Sequence, residues 1–101
     1  MSPLKRKKLA KLRYDLDKLD NLLIQIIKKR TYIVKKVLNL KDSRNQIVDK
    51  KRIKAILKNI KKKSIRNKID PKITNRIWKN MILAYIDYEK RNFKKKKNYL
   101  L

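Results

Sequence analysis

LAKLRYDLDKLDNLLIQIIKKRTYIVKKVLNL, residues 9–40, decides the fold. Apolar residues recur at steps of three and four: Leu9, Leu12, Leu16, Leu19, Leu23 and Ile26, then Ile33, Val37 and Leu40. That spacing lines one side of a helix with apolar side chains, and a stripe this long has to pack against other helices. The seam is interrupted once, by Arg30.

Working outward, DSRNQIV (42–48) breaks the period and reads as a loop. Asp49 is an N-cap for a second helix whose apolar face is Ile53, Ile56, Leu57 and Ile60. KKKSIRNK (61–68) loses the period again. Asp70-Pro71 is the sharpest start signal, a capping side chain followed by proline at the first helical position. The third helix is expected to run to about Phe93, with Ile73, Ile77, Trp78, Met81, Ile82, Tyr85 and Tyr88 turned inward. The chain has no glycine and only two prolines, which favours long helices joined by few loops. The expectation is an all-α fold: one long N-terminal helix, one short and one long. A single domain would span 1–101, with basic, loosely ordered ends at 1–7 and 94–101.

A chain of 101 residues made of long helices buries little surface alone, so a homo-oligomer is expected. No cysteine and no histidine are present, which removes thiol nucleophiles, histidine bases and the usual zinc ligands. What remains is chemistry run by orientation and charge. There are 33 basic and 8 acidic residues, a formal net charge of +25. An anionic partner would fit, yet lysine is tolerated almost anywhere on a helix surface, so charge alone does not choose a function. No apolar run approaches the ~20 residues of a membrane span. The basic start has no apolar segment behind it, so it does not read as a secretory signal, and the cytoplasm is the expected location.

Arg30 breaks the seam, and burying a guanidinium unpaired is costly, so it must reach water, a partner or a ligand. Lys41 follows eleven residues later, roughly 16 Å along the helix and almost on the same side. Arg13 precedes Arg30 by seventeen residues, roughly 25 Å along the axis and about 100° around it. One straight helix cannot close both arginines on one small ligand, but an antiparallel partner chain could bring its own Arg13 over.

Leu12-Arg13-Tyr14-Asp15-Leu16-Asp17-Lys18-Leu19-Asp20, the apolar pairs that follow, and Lys29-Arg30 resemble the first helix of the all-helical (type II) chorismate mutases. The resemblance continues through Lys41 to the Asp-x-x-Arg of Asp49 and Arg52, and covers roughly residues 8–93. Arginine is 8 of the 33 basic residues, yet all three positions where that family places arginine (13, 30 and 52) hold it. Bidentate carboxylate binding is the physical reason for such a preference.

The resemblance implies an intertwined homodimer with no cofactor and no metal, and a small dianionic substrate, chorismate. Arg13 would come from one chain and join Arg30, Lys41, Asp49 and Arg52 of the other. Arg13 and Arg30 would hold the substrate carboxylates, and Lys41 would donate to the ether oxygen. Asp49 and Arg52 would order the second helix start and meet the ring side. Two positions depart from the family pattern. Ile53 stands where glutamate usually follows the second-helix arginine, and Glu89 stands where glutamine often donates to the ether oxygen. Glu89 can donate only when protonated, which implies activity favoured by acid. Tyr85, one turn before it, is also implied to touch substrate.

Ile53 and Tyr85 keep an isochorismate-pyruvate lyase of the same fold open as an alternative. A basic helical nucleic-acid-binding protein is another, suggested by the charge alone. The sequence reading does not favour a nucleic-acid or membrane partner, because the aromatics lie within apolar helix faces and no docking motif appears.

Overall fold

The computed structural model describes residues 1–94, and those residues form three α-helices and no strand. Helix α1 runs Pro3–Leu40, α2 Lys50–Arg66 and α3 Pro71–Asn92, with a short 3-10 turn at Arg44–Gln46. None of these helices is long and apolar enough to cross a membrane. The chain divides into two compact units, Met1–Val34 and Lys35–Leu101, and the division falls inside α1, not at a linker.

The first unit is helix throughout, apart from its first two residues. Ser2 starts it: its hydroxyl accepts from the Lys5 N–H at 3.2 Å, its carbonyl from the Arg6 N–H at 2.9 Å, and Pro3 follows. This is the same device as Asp70-Pro71, and it brings most of the basic segment 1–7 into the helix, contrary to the loose end expected there. Of the other expected loose end, 94–101, everything beyond Lys94 lies outside the described residues. Along this unit Leu12, Leu16, Leu19, Leu23 and Ile26 of the seam are each more than half exposed.

The second unit holds what core there is. Among its described residues, Leu38, near the end of α1, and Ile47, in the loop, are the two buried apolar ones. Asp49 caps α2 by accepting from the Arg52 N–H at 2.9 Å, and Asp70 caps α3 by accepting from the Lys72 N–H at 2.9 Å. Helix α2 packs on α3 through the half-buried Ile53, Ile56, Leu57 and Ile60. It also continues through KKKSIR, where the period looks lost. There Ser64 is buried, bonding back to the Ile60 carbonyl and across to the Thr74 hydroxyl, both at 2.6 Å. The small hydroxyl takes the core position that an apolar residue would otherwise fill. On α3, Trp78, Met81, Ile82, Tyr85 and Tyr88 are partly covered, but Ile73 and Ile77 are 55% and 52% exposed, not inward as expected.

Helix α2 ends without a glycine. Lys68 takes the left-handed conformation at φ 56°, its N–H reaching the Ile65 carbonyl at 3.1 Å while the Ile69 N–H reaches Ser64 at 2.9 Å. These two bonds close the helix end, but a side chain in that conformation costs roughly 1 kcal/mol. Lys68→Gly should therefore stabilise the chain by about 0.5–1 kcal/mol, read as a rise of a few degrees in Tm. An unchanged or lower Tm would show that the turn is not strained.

Candidate active site

The second unit brings two expected site residues into direct contact. Lys41 follows the last residue of α1 and Glu89 lies in the last turn of α3. The Lys41 ammonium sits 3.1 Å from Glu89 Oε1, and it also donates to the Ile47 carbonyl at 3.5 Å. Glu89 is 6% exposed, the only buried charged residue among those described. Only 19% of the Lys41 side chain is exposed, so the pair is largely shielded from water and its interaction is weakly screened.

Local structure explains why these groups meet. The loop after α1 folds on itself, with Gln46 Oε1 accepting from the Asp42 N–H at 2.6 Å and the Ser43 N–H at 3.1 Å. Arg44 then fastens the loop to the end of α3. Its guanidinium donates to the Lys90 carbonyl at 3.1 Å and lies 5.5 Å from the centre of the Phe93 ring. Nothing in the local sequence singles out Arg44. Its role depends on a residue 46 positions away, and no local pattern signals that.

A hollow of about 680 Å³ opens beside this loop, lined by Val37, Leu40, Lys41, Asn45, Gln46, Val48, Asp49 and Lys50. Lys41 and Asp49 thus share one concave surface, which also offers the side-chain amides of Asn45 and Gln46. Those two amides escape sequence reading because they lie in a stretch without periodicity. The Asp49 carboxylate is already engaged at the start of α2. Arg52 and Ile53 follow on the first turn of that helix, Arg52 exposed and Ile53 half-buried. Tyr85 is half-buried on α3.

Arg13 and Arg30 lie in the first unit, both exposed. Seventeen residues of helix hold them roughly 25 Å apart along the axis, so one chain does not bring them together. The arrangement offers two exposed guanidiniums suited to carboxylates and, separately, a shielded ammonium–carboxylate pair beside a polar hollow. Neither group holds a nucleophile activated by a base, so binding and electrostatic stabilisation are the chemistry available.

A family model for chorismate mutase type II matches residues 12–90 of this chain. Comparison with curated proteins and with solved structures gave no match.

Removing one member of the shielded pair leaves the other charge poorly solvated, which costs more than the pair is worth. Lys41→Met should destabilise the chain by about 2–3 kcal/mol in urea unfolding, and adding Glu89→Leu should recover at least half of that. Additive losses in the double variant would show that the two groups are not energetically coupled.

Proposed function

Since the chain belongs to the type II chorismate mutase family, we propose that it rearranges chorismate to prephenate. The observation that carries this reading beyond membership is the shielded contact between Lys41 and Glu89, the two residues expected to meet the ether oxygen. The rearrangement makes one carbon–carbon bond as a carbon–oxygen bond breaks, with no proton transfer and no covalent intermediate. It is accelerated by holding the substrate folded and by placing positive charge or a donor where the ether oxygen gains negative charge. Arg13 and Arg30 bind the two carboxylates, and Lys41 donates to the ether oxygen. Asp49 and Arg52 meet the ring side, and Tyr85 closes the site near Glu89.

The working form is a homodimer in which Arg13 crosses to the partner's site. The support for it is the first unit's seam, where five large apolar residues are more than half exposed and need a covering surface. A second copy of α1 has the same spacing and would cover it.

Ile53, beside Arg52, favours a second reading, a lyase acting on isochorismate. An apolar side chain there gives no acceptor to the ring hydroxyl that distinguishes the two substrates. Incubation with each substrate, followed by chromatography, separates the readings. Prephenate from chorismate is expected, with turnover lowered at least 100-fold in Arg30→Ala. Salicylate and pyruvate from isochorismate alone would move the assignment to the lyase.

Glu89 donates to the ether oxygen only when it carries a proton. Turnover should therefore rise as pH falls, as the protonated fraction grows. Glu89→Gln, which donates at any pH, should flatten that profile. A profile of unchanged shape in the variant would remove Glu89 from the reaction.

A further inference from the structure

Helix α2 carries nine lysines and arginines in its 17 residues and no acidic residue. All nine are exposed, because the opposite side of the helix is the one packed on α3. Lys50, Lys54, Lys58 and Lys61 step by four, four and three, which at 1.5 Å per residue repeats a cation about every 6 Å along one stripe. Like charges at these spacings repel by roughly 0.2–0.5 kcal/mol per pair, and no acid on the helix offsets them. The acidic residues that adjoin the helix are committed to caps: Asp49 holds the Arg52 N–H and Asp70 the Lys72 N–H.

The stripe opens into a cleft of about 490 Å³ between α2 and the first turns of α3. Lys58, Lys61 and Lys72 ring it, above Leu57 and Ile60. Lys72 also borders an adjoining hollow with Arg76, so the basic surface continues onto α3. We infer that this face of α2, extended by Lys72 and Arg76, is a docking surface for the phosphodiester backbone of a nucleic acid.

Three features choose that partner. From Lys50 to Lys61 the stripe is about 16 Å long, matching roughly five base pairs of duplex at 3.4 Å per step. A repeating cation meets a repeating phosphate without base contacts, so no recognition motif is required, and the lack of one does not count against it. A membrane is the poorer partner, because an interfacial helix inserts its apolar side, and that side of α2 is already used against α3. Lys50 also borders the hollow beside Lys41, but Lys54, Lys58, Lys61, Lys72 and Arg76 lie outside the proposed catalytic machinery, so this inference stands whether or not the chain is a mutase.

The test is fluorescence anisotropy with a labelled 20-base-pair DNA duplex, titrated at several salt concentrations. Two variants of equal net charge are compared, Lys54→Gln/Lys58→Gln/Lys61→Gln on α2 and Lys5→Gln/Lys7→Gln/Lys8→Gln on α1. Circular dichroism checks that both stay helical. The α2 variant should bind at least tenfold more weakly and lose about two to three from the slope of log affinity against log salt. The α1 variant should change binding less than threefold. Equal losses in the two variants would reduce the effect to net charge and overturn the assignment. Binding to phosphatidylserine vesicles with none to the duplex would overturn it as well.

Discussion

The contact between Lys41 and Glu89 joins residues 48 positions apart in a region with almost no apolar core. Among the described residues only Leu38 and Ile47 are buried apolar residues, so the loop after α1 is held chiefly by polar contacts. Lys41 supplies two of them, to Glu89 and to the Ile47 carbonyl, and Arg44 supplies a third to the end of α3. A charge pair of this kind holds its geometry closely because either charge alone would be poorly solvated. It also has a functional consequence. These contacts hold the Lys41 ammonium in one place, which suits the role proposed for it, since a donor fixed in advance needs little reorganisation at the moment of reaction.

The helices were legible because their signals are local. Asp49 and Asp70-Pro71 mark starts by capping chemistry that depends on three or four residues, and both starts appear where that chemistry puts them. Ser2-Pro3 carries the same signal and shows that the basic start belongs to α1, although lysine density makes it look like a solvated tail. What the sequence hides is tertiary. Ser64 is buried because Thr74 faces it from the next helix, and Arg44 matters because of a carbonyl at residue 90. Ile73 and Ile77 have the right spacing to turn inward, yet α2 covers a different side of α3, so they stay exposed. For the site, the sequence singles out Lys41 and Glu89 separately, and their direct contact is visible only once the loop is folded.

The eight acidic residues show how such a basic chain organises its charge. Asp49 and Asp70 sit at helix N-termini, where a carboxylate also meets the positive end of the helix dipole. Asp15 and Asp87 pair with Lys11 and Arg91 one helical turn away, and Glu89 is held by Lys41. Acid is therefore present on α1 and α3 and absent from α2, so the positive potential is least cancelled along that helix. The same field acts on any small dianion approaching the chain and raises its local concentration over a range set by salt, ~8 Å at physiological ionic strength. Capture by that field is not selective, because it draws phosphate polymers as readily as carboxylates. Selectivity has to come from geometry, which is where the arginines differ from the lysines. A planar guanidinium meets a carboxylate through two parallel bonds and an ammonium does not, so Arg13 and Arg30 can discriminate among anions that the lysines merely attract.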